Sequence, residues 1–262
     1  MKRKAILAGA AAMLAGCANG YAQFYQPNTN PVVAQDTIRS GEQPQLRSST
    51  GDPRQDVEIM FTEGYEVVGS ASFNGPMNNI HGAIDQAKKV GASIVVANRK
   101  YTNTVSGVLP LTMPTTQTSY TNGTVNAYGS GGFASGNYSG TTTTYGSETT
   151  YIPYSVTRYD QQALFFAPIK RVGLGIMPRA LTAEEAQALG SQRAVVIRAV
   201  RRGSPAYNAD ILPGDIVRSV NGAAVGDFDD FRASFHRGAV NHLVLVRAGQ
   251  TLEKDVNVPE SW

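Results

Sequence analysis

The chain has one cysteine, three histidines and one tryptophan among its 262 residues. A single cysteine excludes a disulfide within the chain and a metal site built on thiolates. His81, His236 and His242 form no HExxH and no other spacing suited to zinc. No Gly-rich phosphate loop and no dinucleotide fingerprint is present. The only leading apolar run, residues 5 to 15, is too short to cross a bilayer as a permanent helix. Charge is also scarce, at 16% of residues, with 23 basic against 20 acidic. Removing Lys2, Arg3 and Lys4 leaves 20 against 20. The basic excess belongs to that leader and does not speak for nucleic acid.

Those three basic residues, the apolar run and Leu14-Ala15-Gly16-Cys17 together resemble a bacterial lipoprotein signal. The resemblance implies that residues 1 to 16 are removed and that Cys17 is acylated. Several acyl chains on one residue imply lasting membrane attachment. Ala18, by resemblance to sorted lipoproteins, implies the outer membrane, with the chain facing the periplasm or the surface. An ordinary secretory signal containing a cysteine is the alternative.

Residues 17 to 50 are rich in Gln, Asn, Pro, Ser and Thr and show no period. They are expected to form a lipid-anchored flexible tether with an r.m.s. span of roughly 30 Å. Residues 51 to 168 are expected to form an α+β domain. Tyr65 to Phe73 reads as a strand, and Asn78 to Val90 as a helix with Ile80, Ala83, Ile84 and Ala87 on one face. Lys88 and Lys89 suit the last helical turn and Gly91 its stop. Ser93 to Tyr101 reads as a second strand, completing a βαβ unit that loosely resembles small envelope lipoprotein domains. Residues 102 to 150 contain Glu148 as their one charged residue and are mostly Thr, Ser, Gly, Asn and Tyr. This insertion is either a long hairpin turning near Gly129 to Gly132 or a disordered loop. Pro110 and Pro114 confine its outgoing strand to an edge or break it.

The most informative stretch is Gly203 to Gly222, GSPAYNADILPGDIVRSVNG. Gly203-Ser204-Pro205 and Pro213-Gly214-Asp215 are turn signals. Ile216 to Val220 is strand-like, and Asn221-Gly222 is a strong hairpin signal. Upstream lie Gly173-Leu174-Gly175-Ile176, then Thr182 and Glu185 spaced as a capping box, with Gly190 as a stop. Downstream, Phe228 to Phe235 reads as a short helix, and His242 to Arg247 and Leu252 to Val258 as closing strands. In order and spacing these motifs resemble a bacterial PDZ domain of the HtrA-type protease kind. The likeness covers roughly residues 170 to 258. Asp210 departs from the family, which usually has glycine there, but Asp tolerates a left-handed backbone better than most residues.

The resemblance implies an α+β chain ending in a β-barrel-like PDZ domain with two helices over residues 169 to 262. It implies a peptide captured by β-augmentation, its terminal carboxylate received by the backbone N–H groups of Leu174, Gly175 and Ile176. Arg171, just ahead of the loop, adds positive charge. Phe228 and Arg232 flank the groove at i and i+4 if Phe231 and Phe235 are core; core packing of Phe228 is the alternative. No cofactor, no metal, no nucleic acid and no catalytic residue is expected. Gly129-Ser130-Gly131-Gly132 only echoes a protease nucleophile loop, lacking the residue between Gly and Ser. Two functions remain open. One is a non-catalytic adaptor or sensor for C-termini or exposed strands of envelope proteins. The other is a structural scaffold with a closed or degenerate groove.

Overall fold

The computed structural model describes residues 19–171 and 173–260. The stretch that resembles a lipobox, Leu14 to Cys17, lies outside them. The chain divides into two compact units, one running up to Tyr101 and resuming at Tyr159, the other spanning Thr102–Arg158. The first unit therefore holds both parts that the sequence divides near residue 168.

The first unit opens with α1 (Gly20–Gln23), β1 (Tyr25–Pro27), α2 (Pro31–Asp36) and β2 (Gln45–Ser48). This corrects the expected tether, because residues 20 to 48 are built into the fold. Tyr21 is fully buried, and its ring meets Phe73 edge-on at 5.1 Å. β1 pairs antiparallel with the later strand at Gly69 to Ala71, and β2 pairs in parallel with Ile94 to Ala97. A polar composition hid this segment, since its few apolar residues follow no single period.

Next come α3 (Pro53–Thr62), β3 (Tyr65–Gly75), α4 (His81–Val90), β4 (Ile94–Gly129) and β5 (Gly132–Pro168). α3 starts where Asp52 accepts a hydrogen bond from the Arg54 amide with Pro53 at the first turn, a standard helix start. α4 ends as expected, with Lys88 and Lys89 in its last turn and Gly91 left-handed at φ 70°. The strand order is β1-β3-β5-β4-β2. β5 is antiparallel to β3 and lies between β3 and β4, so the βαβ unit is split by the returning strand. Alternation along the strands feeds two cores. Val95, Ala163, Phe165 and Ala167 pack with Ala83 and Ala87 of α4. Ile94, Val96, Leu164 and Phe166 pack with Met60 of α3.

The C-terminal part carries β6 (Ile176–Ala180), α5 (Ala183–Leu189), β7 (Val195–Val200), α6 (Pro205–Asn208), β8 (Ile216–Val220), β9 (Ala223–Ala224), α7 (Phe228–Ala233), β10 (Ala239–Arg247) and β11 (Gln250–Val258). The two expected helices are α5 and α7, and α6 is a single turn. Thr182 and Glu185 form the capping box and Gly190 closes α5 at φ 66°. Asn221 and Gly222 are left-handed at φ 52° and 79°, as a tight hairpin requires. Asp210 is left-handed at φ 56°, and its carboxylate meets Lys254 Nζ at 2.8 Å and Arg247 at 3.3 Å. The sheet runs β11-β10-β8-β7-β6 with β9 beside β8, so it is open and not a closed barrel. Its core includes Leu174, Val195, Ile197, Val217, Phe231, Phe235, Leu243 and Leu245.

One buried ion pair shapes this part. Asp215 is fully buried and takes Arg247 Nε at 2.7 Å, and its second oxygen accepts from the Leu212 amide at 2.9 Å. The pair ties the Pro213-Gly214 turn to β10, and removing Arg247 would leave the buried Asp215 carboxylate without its counter-charge.

In the second unit, β4 and β5 continue as a two-stranded ribbon turning at Ser130-Gly131. Of the two readings of the insertion, the hairpin is the one realised. It reaches Arg158, beyond the expected end at residue 150.

Candidate functional site

β6 ends the C-terminal sheet, and no strand among the described residues pairs with its outer edge. α7 faces that edge. A cavity of about 360 Å³ opens between them, and Arg171, Leu174, Gly175, Ile176, Phe228 and Arg232 all line it. All six residues expected from the sequence thus meet at one place. Past Pro178 and Phe228 the groove widens into a second cavity of about 1140 Å³ against α5.

The loop before β6 is held from below. The Ala206 amide donates to the Leu174 carbonyl at 3.2 Å and the Arg201 amide to the Gly175 carbonyl at 2.8 Å. Both carbonyls are thereby engaged, and no acceptor for the Leu174 or Gly175 amide is found among the described residues. Leu174 itself is buried in the core, so its contribution is backbone only. Gly175 has φ +77°, and a Cβ there would fall 2.1 Å from Ser204 Cβ. Glycine is required here by the Ser204 contact.

Phe231 and Phe235 are buried and meet edge-on at 4.9 Å. Phe228 is 50% exposed, which places it at the groove and sets aside its core alternative. Asp227 caps α7 by accepting from the Asp230 amide at 2.9 Å.

The cavity also has residues that the sequence did not assign to it. Arg201 and Glu66 both line it. Burial lowers the Arg201 pKa against the opposing pull of Glu66, and burial raises Glu66 above the ordinary carboxylate range against the opposing pull of Arg201. The Arg201 guanidinium stacks on Phe61 at 4.5 Å. From the N-terminal segment, Asn30, Val33, Asp36 and Thr37 reach the same cavity, as does Ile169. Asp36 pairs with Arg171 at 3.7 Å, and its carbonyl accepts from the Lys170 amide at 2.6 Å. No local pattern in residues 30 to 37 signals this placement; it follows from β1 docking on β3.

Residues 196–247 match the family model for the PDZ domain. The periplasmic pH-dependent serine endoprotease DegQ of Escherichia coli strain K12 is 34% identical over 116 residues, covering 42% of this chain and 26% of that protein. The periplasmic serine endoprotease DegP of Salmonella typhimurium is 30% identical over 111 residues, covering 40% and 23%. The chain therefore spans about a quarter of the length of the curated relatives it matches. Among solved structures, the HtrA-type protease AlgW with a decapeptide aligns at 24% identity and a TM-score of 0.29, covering 37% of this chain and 36% of that one. The HtrA3 PDZ domain bound to a phage-derived ligand aligns at 21% identity and a TM-score of 0.29, covering 32% and 81%. The family match and the curated relatives carry the conclusion that the C-terminal region of this chain is a PDZ domain, homologous to those of HtrA-type proteases.

Proposed function

We propose that this chain is a non-catalytic envelope lipoprotein whose PDZ groove captures C-termini or exposed strands of other envelope proteins. The observation that carries the reading is the joining of the open β6 edge, the loop amides and the cations Arg171, Arg201 and Arg232 in one cavity. An extended peptide adding to β6 gains main-chain bonds along the edge. Its carboxylate ends among the Leu174 and Gly175 amides, where charge-assisted bonds are roughly twice as strong as neutral ones. The curated relatives are periplasmic proteins, which supports an envelope location. The lipobox supports anchoring through Cys17, with Ala18 favouring the outer membrane. The matched stretch of the proteases is their PDZ part, so their catalysis is not carried to this chain.

The test is a library of C-terminal peptides measured by fluorescence anisotropy against the full chain, each hit compared with its amidated form. Micromolar hits are expected, about 8 kcal/mol at 1 μM, with a clear loss on amidation. Hits that bind equally well as amides would overturn the carboxylate site. Fatty-acid analogue labelling of wild type and Cys17→Ser tests the anchor, and equal labelling would refute it.

A scaffold role is the second reading, and one observation favours it. α2 and Ile169 stand at the mouth of the groove, and Asp36 already offers a carboxylate to Arg171. Under that reading no C-terminal peptide binds, and removing the Asp36 charge does not change this.

A further inference from the structure

The ribbon of residues 105 to 157 poses a physical problem. Its outer edges pair with no other strand among the described residues, since β2 meets β4 only at Ile94 to Ala97 and β3 meets β5 only at Tyr159 to Pro168. A lone two-stranded ribbon is marginal in water, and long open edges invite pairing with another chain. Proteins usually blunt such edges with charge. Here Glu148 is the one charged residue between 105 and 157.

Both faces of the ribbon carry exposed apolar and aromatic residues. Thr104 faces Thr157, Ser106 faces Ser155, Thr112 faces Thr149 and Thr124 faces Asn137, with side-chain contacts of 2.8 to 3.4 Å. This register puts those hydroxyls on one side, together with the exposed Val108, Tyr120, Tyr128, Phe133, Tyr145 and Tyr151. The alternate positions bring Val105, Leu109, Leu111, Met113, Ile152 and Tyr154 to the other side, each 39 to 56% exposed. Tyr154 lies across Gly107 and Tyr138 across Gly123, so close that a Cβ on either glycine would fall within 3 Å of the ring. Aromatic residues laid over glycines pin the register.

We infer that the ribbon is a self-assembly element: β4 of one copy pairs antiparallel with β5 of the next, so that several hairpins form one continuous sheet. Three observations select copies of this chain as the occupant. The near absence of charge offers nothing to a charged partner and little repulsion between like copies. Head-to-tail pairing of β4 with β5 satisfies both edges at once, whereas pairing β4 with β4 would leave both β5 edges open. The proline-free part of the ribbon is long enough. Pro110, Pro114 and Pro153 interrupt donors toward the base, but residues 115 to 129 and 132 to 147 contain no proline. That length, roughly 50 Å, with side chains standing roughly 10 Å tall, hides roughly 500 Å² per edge. Each junction of two copies then buries roughly 1,000 Å² in total, at the lower threshold for a specific interface.

The test uses the full chain carrying Cys17→Ser, so that no acyl chain contributes, with mass measured by light scattering from about 1 to 100 μM. The expected result is a multiple of the 27.9 kDa chain, fixed where the head-to-tail sheet closes on itself and growing with concentration where it stays open. Thr142→Pro and Thr143→Pro make the decisive pair, because neighbouring strand residues donate in opposite directions. One of them should remove an outward donor, leave the circular dichroism of the strands unchanged and reduce the mass to a single chain. A single-chain mass for the unsubstituted ribbon at all concentrations overturns the inference. So does a single chain that binds vesicles of phosphatidylethanolamine and phosphatidylglycerol, which would assign the exposed apolar residues to lipid. Assembly retained by both proline variants also overturns it, by moving the interface elsewhere.

Discussion

The guanidinium of Arg201 lies 4.5 Å above the ring of Phe61, and through that contact the end of β7 is joined to the end of α3. The Arg201 side chain also donates to the Phe61 carbonyl at 3.4 Å, and the Arg202 amide to the Thr62 carbonyl at 3.0 Å. These carbonyls belong to the last turn of a helix, where acceptors lack intrahelical partners and cations are favoured. Glu58, on the same helix, pairs with Arg198. The floor of the groove and the packing of α3 against the PDZ domain are thus one set of contacts.

That union predicts a measurable coupling. Arg201→Met should lower stability by about 1–3 kcal/mol, and Phe61→Leu by about 1 kcal/mol. A double-mutant cycle from urea unfolding should give an interaction of about 0.5–2 kcal/mol. Additive effects would mean that the stacking contributes nothing.

Gly175 tests the loop support. Gly175→Ala places a methyl group onto Ser204 at a left-handed position, and should cost about 2–4 kcal/mol through strain and crowding. Ser204→Gly in the same chain removes the steric part and should recover a fraction of the loss, although it also removes the Ser204 hydroxyl that caps α6 at the Tyr207 amide. Thermal unfolding of the single and double variants checks this. No recovery would show that backbone strain accounts for the whole effect.

The PDZ half was legible because its turn chemistry is local. Asn221-Gly222, the Thr182–Glu185 box and Gly190 each force a backbone geometry that neighbours need not supply. All six expected groove residues meet for the same reason: loop, strand and helix keep the family spacing. The N-terminal segment was not legible, because Tyr21 and β1 acquire their place only by docking on β3, some 40 residues on. Arg201 was visible as a basic residue, but its role depends on Phe61, and no sequence pattern links positions 140 residues apart. The hairpin could not be separated from a disordered loop by composition, since Thr, Gly and Tyr suit both.

Glu185 supplies a pH test of the fold. Arg179 grips its carboxylate with two bonds of 2.6 Å, and the Thr182 amide donates to it at 2.8 Å. Its pKa falls from 4.5 to about 2. A carboxylate depressed on folding stabilises above its unfolded pKa, and that support fades as pH falls toward the folded value. Urea midpoints of wild type and Glu185→Gln should differ by a constant amount above about pH 5. The gap should close between 4.5 and about 2. A gap independent of pH would assign the effect to lost packing.

Asp36 tests the mouth of the groove. Its pairing with Arg171 at 3.7 Å is exposed, so it is weak and screened by salt. Asp36→Asn should free Arg171 for a peptide carboxylate and raise affinity by roughly twofold to fivefold, equivalent to about 1 kcal/mol or less. Salt should reduce the difference. An unchanged Kd would mean that α2 gates nothing.

Glu66 gives the sharpest test of carboxylate capture. Its side chain shares the cavity with Arg201, Arg171, Arg232 and Asp36, and burial raises its pKa above 4.5. A peptide carboxylate entering the cavity adds a second anion near it. Repulsion is relieved when Glu66 takes a proton, and binding pushes its pKa further up. Peptide affinity should therefore rise as pH falls from 7 toward the raised Glu66 value. It should fall again near pH 3.5, where the peptide terminus itself protonates. Glu66→Gln should bind more tightly at pH 7 and lose the acid-side rise, while amidated peptides should show no such rise with either protein. The sign is the same for the stability of the free chain: a carboxylate whose pKa is raised on folding supports the folded state below its unfolded value, and that support is lost as pH rises through the folded one. Anisotropy titrations from about pH 3 to 8 with both proteins decide the matter. A pH profile shared by Glu66→Gln and wild type would show that the carboxylate does not come to rest beside Glu66, and would move the peptide terminus out of this cavity.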